Sequence, residues 1–353
     1  MLADEPECPI LALVVDSMSL EEQVAQLFIL GLGSETDGFS MDLARFVAET
    51  QAGGYILFSD NITTVEDTRN LTDAIRIFSH IPPFIGIDEE GGTVSRLRVA
   101  GLPGYTAQPS ARDIGRTGDV SNAYASGVAI GEALDSIGVN LNFAPVADVL
   151  TNPNNTVIGS RAFGSDPEIV ADMASAFQAG LHSTGVLSSP KHFPGHGNTA
   201  DDSHFGSAVI ASDAQHLREV EFVPFERLIS EGAEFIMTGH VLVPEVEPDG
   251  LPATLSEYFM TDVLRGELGF EGIIITDAMN MGAIAHDFTA SEAAVLAIKA
   301  GVDMILMPES FSDAMAGIIE AVENEVIPRE RIRESLFRIF TTKQSAGILL
   351  VAF

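Results

Sequence analysis

The chain has 353 residues and a formal net charge of −33, from 51 Asp and Glu against 18 Lys and Arg. That charge repels nucleic acid and anionic membrane surfaces, so neither is expected as a partner. No uninterrupted apolar run reaches the roughly 18 residues of a membrane span, and a single cysteine, Cys8, excludes an internal disulfide and a multi-cysteine zinc site.

The acid excess reads as the solvation shell of a salt-adapted protein; an ordinary acidic enzyme is the plainer alternative. The acidic N-terminus (Asp4, Glu5, Glu7) lacks the basic and apolar regions of a signal peptide. A processed mature chain reads the same way, so the compartment stays open.

Taken in order, Asp4–Asp16 is expected to cap the bottom of a barrel or to lead into a first helix at Ser19–Gln26. Eight strand candidates follow: Phe28–Leu32, Gly54–Phe58, Phe84–Asp88, Asn140–Val146, Val186–His192, Glu234–His240, Ile273–Asp277 and Asp303–Met307. Between them lie amphipathic stretches at Val65–Ser79, Ser121–Ile137, Pro167–Ser183, Ala214–Glu231, Ser291–Ala300 and Phe311–Asn324. Short apolar runs suit strands buried on both faces, and alternation with helices implies parallel pairing. Eight such units favour an α/β fold with a single (β/α)8 TIM-type barrel over a doubly wound open sheet. Gly101–Pro109 and Val241–Thr254 read as long surface connections, and Gly185 as a helix C-cap. No low-complexity linker divides the chain. One domain over 1–353 is expected, its core at about 19–347, without a C-terminal second domain.

Barrel enzymes build their sites at the C-terminal ends of the strands. Charged or imidazole groups recur there in units three to seven: Asp88-Glu89-Glu90, Asp148, Lys191-His192, His240 and Asp277. One or two such residues would pass as helix N-caps; five in succession point to a site. The densest segment is Lys191-His192-Phe193-Pro194-Gly195-His196-Gly197 with Asp201-Asp202-Ser203-His204, which holds three of the eight histidines and one of the three lysines. Asp202 and His204 point the same way on an extended loop, so the carboxylate can fix the imidazole tautomer and raise its basicity, the arrangement of a general acid/base. Asp277 closes the apolar run Ile273-Ile274-Ile275, and a carboxylate held ionised there is a good nucleophile for an anomeric carbon. Metal is the competing reading, because His192 and His196 are spaced as in helical zinc sites; Pro194 and Gly195 between them forbid the helix that would make the spacing meaningful.

The blocks Gly86–Gly92 with Arg96, Asn142–Asp148, Arg161–Gly164, Lys191–Gly197, Asp202–His204 and Ile275–Met279 occur in one order. Together they resemble the β-N-acetylglucosaminidase branch of glycoside hydrolase family 3, over about 19–347. The resemblance implies a barrel, retaining exo-hydrolysis and no metal or other cofactor. It implies Asp277 as nucleophile and His204, paired with Asp202, as acid/base on a mobile loop. It further implies that Asp88, Arg96, Arg161, Lys191 and His192 grip the terminal sugar, with His196 supporting the loop. Glu89 and Thr93 stand where the family pattern has Gln and Arg, which bears on charge near the site. The implied substrate is a small chitin oligomer or muropeptide, acted on by a monomer. A phosphorylase using the same site, a β-glucosidase of the same family and a non-enzymatic sugar-binding barrel are the alternatives.

Overall fold

The computed structural model describes residues 9–33, 40–199, 208–247 and 249–350. Strands form at all eight expected positions: Phe28–Gly31, Gly54–Leu57, Phe84–Ile87, Leu141–Asn142, Leu187–Ser188 continued by Lys191–Phe193, Phe235–Thr238, Ile273–Ile275 and Ile305–Leu306. They are shorter than the apolar runs that signal them. Proline sets two of the limits, since Pro145 and Pro190 have no amide for the ladder. The fourth strand therefore stops at Asn142, and the fifth is interrupted between Ser188 and Lys191.

Six strand segments make one parallel sheet in the order 305–306, 28–31, 54–57, 84–87, 141–142, 187–188, and three make a second in the order 273–275, 235–238, 191–193. Two parallel bridges, Val146 with Lys191 and Ile275 with Met304, join their edges. The result is a curled parallel sheet of TIM-like α/β type. Its interior is apolar near the bottom, where Phe84 and Phe235, on strands that are not neighbours, meet edge to face at 5.0 Å. No helix among the described residues is long and apolar enough to cross a membrane.

The expected helices appear within a residue or so of their expected ends, as Leu20–Ala25, Val65–Phe78, Val120–Ser136, Pro167–His182, Ala290–Ala300 and Phe311–Glu323. Most open on a side-chain cap, for example Ser19 with Glu22 in a reciprocal capping box, Thr64, Asp119, Asp166, Thr289 and Ser310. Helices 120–136 and 167–182 cross at two glycines. A Cβ on Gly127 would lie 2.2 Å from the Phe177 carbonyl oxygen, and one on Gly180 2.3 Å from that of Tyr124.

The structure corrects the expected pattern in three places. The stretch expected as one helix over 214–231 is divided into Ala214–His216, a π-helical turn Leu217–Glu221 and Phe222–Ser230. Pro224, with no amide to offer the Val220 carbonyl, stands just beyond that turn. The Val241–Thr254 connection is not merely a surface segment: Val241–Leu242 pairs with Ala208–Val209, and Val243, Ala253 and Thr254 are buried. Helices also form at Pro9–Ser17, Met41–Thr50, Tyr258–Glu267 and Arg329–Ser345, where no helix was expected. The last of these lies across the bottom of the curled sheet. Its Arg331 and Arg338 reach the buried Asp303, which Arg265 and Ser335 also bind, and its Lys343 bonds the Gln26 side chain at 3.0 Å.

Candidate active site

The third and fifth strands carry the centre of the site. Asp88 and Glu90 stand two residues apart on extended backbone just past the third strand and meet the same ammonium: Lys191 Nζ lies 2.6 Å from Asp88 Oδ1 and 2.7 Å from Glu90 Oε1. The Glu90 carboxylate also accepts a two-pronged bond from Arg161, Nε at 2.9 Å and Nη2 at 2.8 Å. Burial alone would neutralise Glu90, but Arg161 and Lys191 outweigh it and hold the carboxyl well below its usual range. Burial likewise opposes the charge on Lys191, and Asp88 with Glu90 reverses that and raises its pKa. Glu90 and Lys191 thus each favour the charged form of the other.

A second carboxylate organises the loop that follows. Asp148, fully buried, accepts the His192 Nδ1–H at 2.7 Å, the His192 amide at 3.2 Å and the His196 amide at 2.7 Å. The other ring nitrogen of His192, Nε2, lies 3.3 Å from Arg161 Nη2. His196 packs its ring against His192 and bonds Thr199 through Nδ1. Burial, with His192 beside it, pushes the His196 imidazole below its ordinary pKa. Arg96 lies over the Phe58 ring at 5.5 Å, reaches Asp88 at 3.4 Å, and has no partner for its buried Nε among the described residues.

Asp277 follows the seventh strand and faces the same cavity of about 260 Å³ as Asp88, Arg161, Lys191 and His192. Burial works against its charge, yet His192, His240, the Ala278 amide and Lys191 prevail and keep its carboxyl below the ordinary range. His240 itself is buried behind this wall, bonded to Thr254 and to the Ala278 carbonyl.

Of the residues expected from sequence, Asp88, Arg96, Arg161, Lys191, His192, His196 and Asp277 all line this one cavity. Asp202 and His204 lie outside the described residues. Glu90 and Asp148, which the sequence placed among the strand-end charges without a role of their own, take specific parts in the site. Glu90 was detectable as the second member of an i, i+2 pair with Asp88 on extended backbone. Asp148 ends an apolar strand run just as Asp277 does.

Residues 19–342 match the model of the glycosyl hydrolase family 3 N-terminal domain. The chain belongs to glycosyl hydrolase family 3. It is 35% identical over 346 residues to beta-hexosaminidase A of Pseudoalteromonas piscicida, covering 88% of this chain and 57% of that relative. It is 37% identical over 284 residues to a beta-hexosaminidase of Alkalilimnicola ehrlichii, covering 79% and 80%. The solved structure of a glycoside hydrolase family 3 beta-N-acetylglucosaminidase from Paenibacillus sp. FPU-7 superposes with a TM-score of 0.89 at 36% identity, over 96% of this chain and 65% of that one. The chain thus spans less than two thirds of two of these relatives.

The geometry also resolves what the family departures do. Glu89 points away from the cavity: its buried carboxyl takes the Tyr105 hydroxyl at 3.1 Å and the Leu97 amide at 2.9 Å. Burial pushes its pKa up, and it is not among the residues that line the cavity. Thr93 is exposed on the turn between Glu89–Gly91 and Val94–Ser95.

Proposed function

We propose that this chain is a retaining, exo-acting β-N-acetylglucosaminidase on one closed (β/α)8 barrel domain, working as a monomer without metal or other cofactor on small chitin oligomers or muropeptides. The observation that carries this reading is the position of Asp277. It is an ionised, partly buried carboxylate across one small cavity from the paired Asp88–Lys191–Glu90–Arg161 cluster. The names of the relatives and the order of the sequence blocks support the substrate class. The two bridges between the sheet edges support closure.

On this reading the terminal sugar enters with its hydroxyls toward Asp88, Arg96, Arg161, Lys191 and His192. These groups already hold one another, so the sugar meets a preorganised polar wall. The cavity is small for a ligand site, which suits one terminal ring. Asp277 attacks the anomeric carbon while the His204 imidazolium, steadied by Asp202, protonates the leaving oxygen. Neutral His204 then takes a proton from water as the glycosyl–Asp277 ester is hydrolysed, and configuration is retained. His196 holds the loop from below.

The test is a panel of aryl β-glycosides with and without the 2-acetamido group, assayed with and without phosphate. Release of N-acetylglucosamine, with no sugar-1-phosphate when phosphate is added, is the expected result. A preference for glucosides, or formation of sugar-1-phosphate, sinks the hydrolase assignment. Activity that vanishes on exhaustive chelation and returns with metal sinks the metal-free one.

A further inference from the structure

One buried carboxyl beside the site has no hydrogen-bond partner among the described residues. Glu221 is 1% exposed, and neither of its oxygens makes a hydrogen bond. It closes the π-helical turn Leu217–Glu221, in which the Phe222 amide reaches the Leu217 carbonyl five residues back. An α-helix would carry residues i and i+5 to different faces; the wider turn brings Glu221 toward His216, whose Nε2 lies 4.0 Å from Glu221 Oε1. The carboxyl is pressed against the turn that opens the histidine loop. At Gly195, with φ of +122°, a Cβ would sit 2.5 Å from Glu221 Oε2, so only a glycine lets the two segments approach this closely.

We propose that Glu221 is a positioning residue for the reaction, a wedge that holds the Phe193–Gly197 turn and, through Asp148, the His192 ring and the base of the acid/base loop in register. The inference rests on the glycosidase reading above. Asp148 is the neighbour that makes this contact delicate. The same carboxylate that binds the His192 ring and the His192 and His196 amides acts electrostatically on Glu221. Two ionised carboxylates cannot share that pocket, and burial first, then Asp148, pushes Glu221 up to about 8. Among the described residues the titratable groups around it are Asp148 from the loop after the fourth strand and His216 from its own helix. His192 and His196, on the packed turn, bond Asp148, Arg161 and Thr199. Neutral, Glu221 supports the turn; ionised, it repels Asp148 and displaces it.

The experiment compares wild type, Glu221→Gln and Glu221→Ala in pH profiles of kcat and KM on an aryl N-acetylglucosaminide. Glu221→Ala should lower kcat by about 10–100-fold with little change in KM, the signature of displaced catalytic groups. Glu221→Gln should restore most of that kcat at neutral pH and lack the decline centred near pH 8 that Glu221 gives the wild type. Melting curves provide an arm that needs no substrate. A carboxyl with a raised folded pKa costs the wild type stability as pH rises from about 4.3 toward its folded value. The Tm gain of Glu221→Gln over wild type should therefore grow over that interval and level off above it. Superimposable pH profiles for Gln and wild type, or unaltered kcat in Glu221→Ala, overturn the proposal. If the wild type cleaves no aryl glycoside, the functional reading fails first. Hydrogen exchange at the Gly195 and His196 amides then decides: faster exchange in Ala than in Gln supports the wedge, and equal protection removes it.

Discussion

At the scale of single residues, the site is a set of charges that stabilise one another's ionised forms. Asp277→Ala should abolish turnover on every substrate, because among the described residues the other carboxylates lining the cavity, Asp88 and Glu90, are both held by Lys191, and Glu90 also by Arg161. His204→Ala should cost on the order of 10²–10⁴ in rate on natural glycans and far less on aryl glycosides with good leaving groups. Equal losses on both would remove the acid/base role. Asp148→Ala strands two buried amides and the His192 Nδ1–H, so we expect about 3–5 kcal/mol of lost stability in urea unfolding, as for a broken buried pair. A loss below about 1 kcal/mol would mean water replaces the carboxylate at no cost. Much of this site was legible in sequence, because Asp88, Lys191, His192 and Asp277 each sit where an apolar run ends. The roles of Glu90 and Asp148 were not. Glu90 meets Arg161 across 71 residues and Asp148 meets His192 across 44, and a pattern read over a few turns of chain carries no information about such partners. In a strand-end position, Asp148 also looks like an ordinary helix cap.

At the scale of elements, hydrophobic periodicity located the strands because each is buried on both faces and reads as an unbroken apolar run. It missed two helices, Met41–Thr50 and Arg329–Ser345. Met41–Thr50 buries Leu43, Ala44 and Val47 on one face and was readable but passed over, whereas Arg329–Ser345 is mostly polar and owes its place to specific ties, Lys343 with Gln26 and two arginines with Asp303. It failed at 214–231 because the π turn inserts one residue into a pattern that assumes constant spacing. The crossing of helices 120–136 and 167–182 depends on backbone approach at Gly127 and Gly180. Gly180→Ala should therefore cost about 1–3 kcal/mol, the range for an overfilled contact, measured by denaturant midpoint at unchanged m-value. Full stability in that variant would show that the two helices separate easily.

At the scale of the molecule, charge is the dominant property. With a net charge of −33, self-repulsion opposes compaction, and screening shortens from about 10 Å at 0.1 M salt to about 3 Å at 1 M. Raising NaCl over that range should raise Tm; a flat response would reduce the acidic shell to a solubility feature. The carboxyls of Glu90, Asp277 and Asp303 are held below their ordinary range. The stability they add is complete above an unfolded pKa of about 4 and is lost as pH falls through their folded values. The helix caps carry a consequence of another kind. In a parallel α/β chain each returning helix begins at the end of the sheet where its strand finishes, which is the end that holds the cavity. Asp42, Glu66, Asp67, Asp119, Asp166, Glu168, Asp213, Glu292 and Asp313 all stand at such starts. Residues that begin the helices therefore also surround the entrance with a fence of like sign, only partly offset by the helix dipoles. On the proposed function, a neutral glycan should pass this fence unhindered, whereas one bearing a carboxylate should be slowed. Its kcat/KM should climb with ionic strength while that of the neutral glycan stays level, so the folding signal doubles as a filter on the charge of what enters.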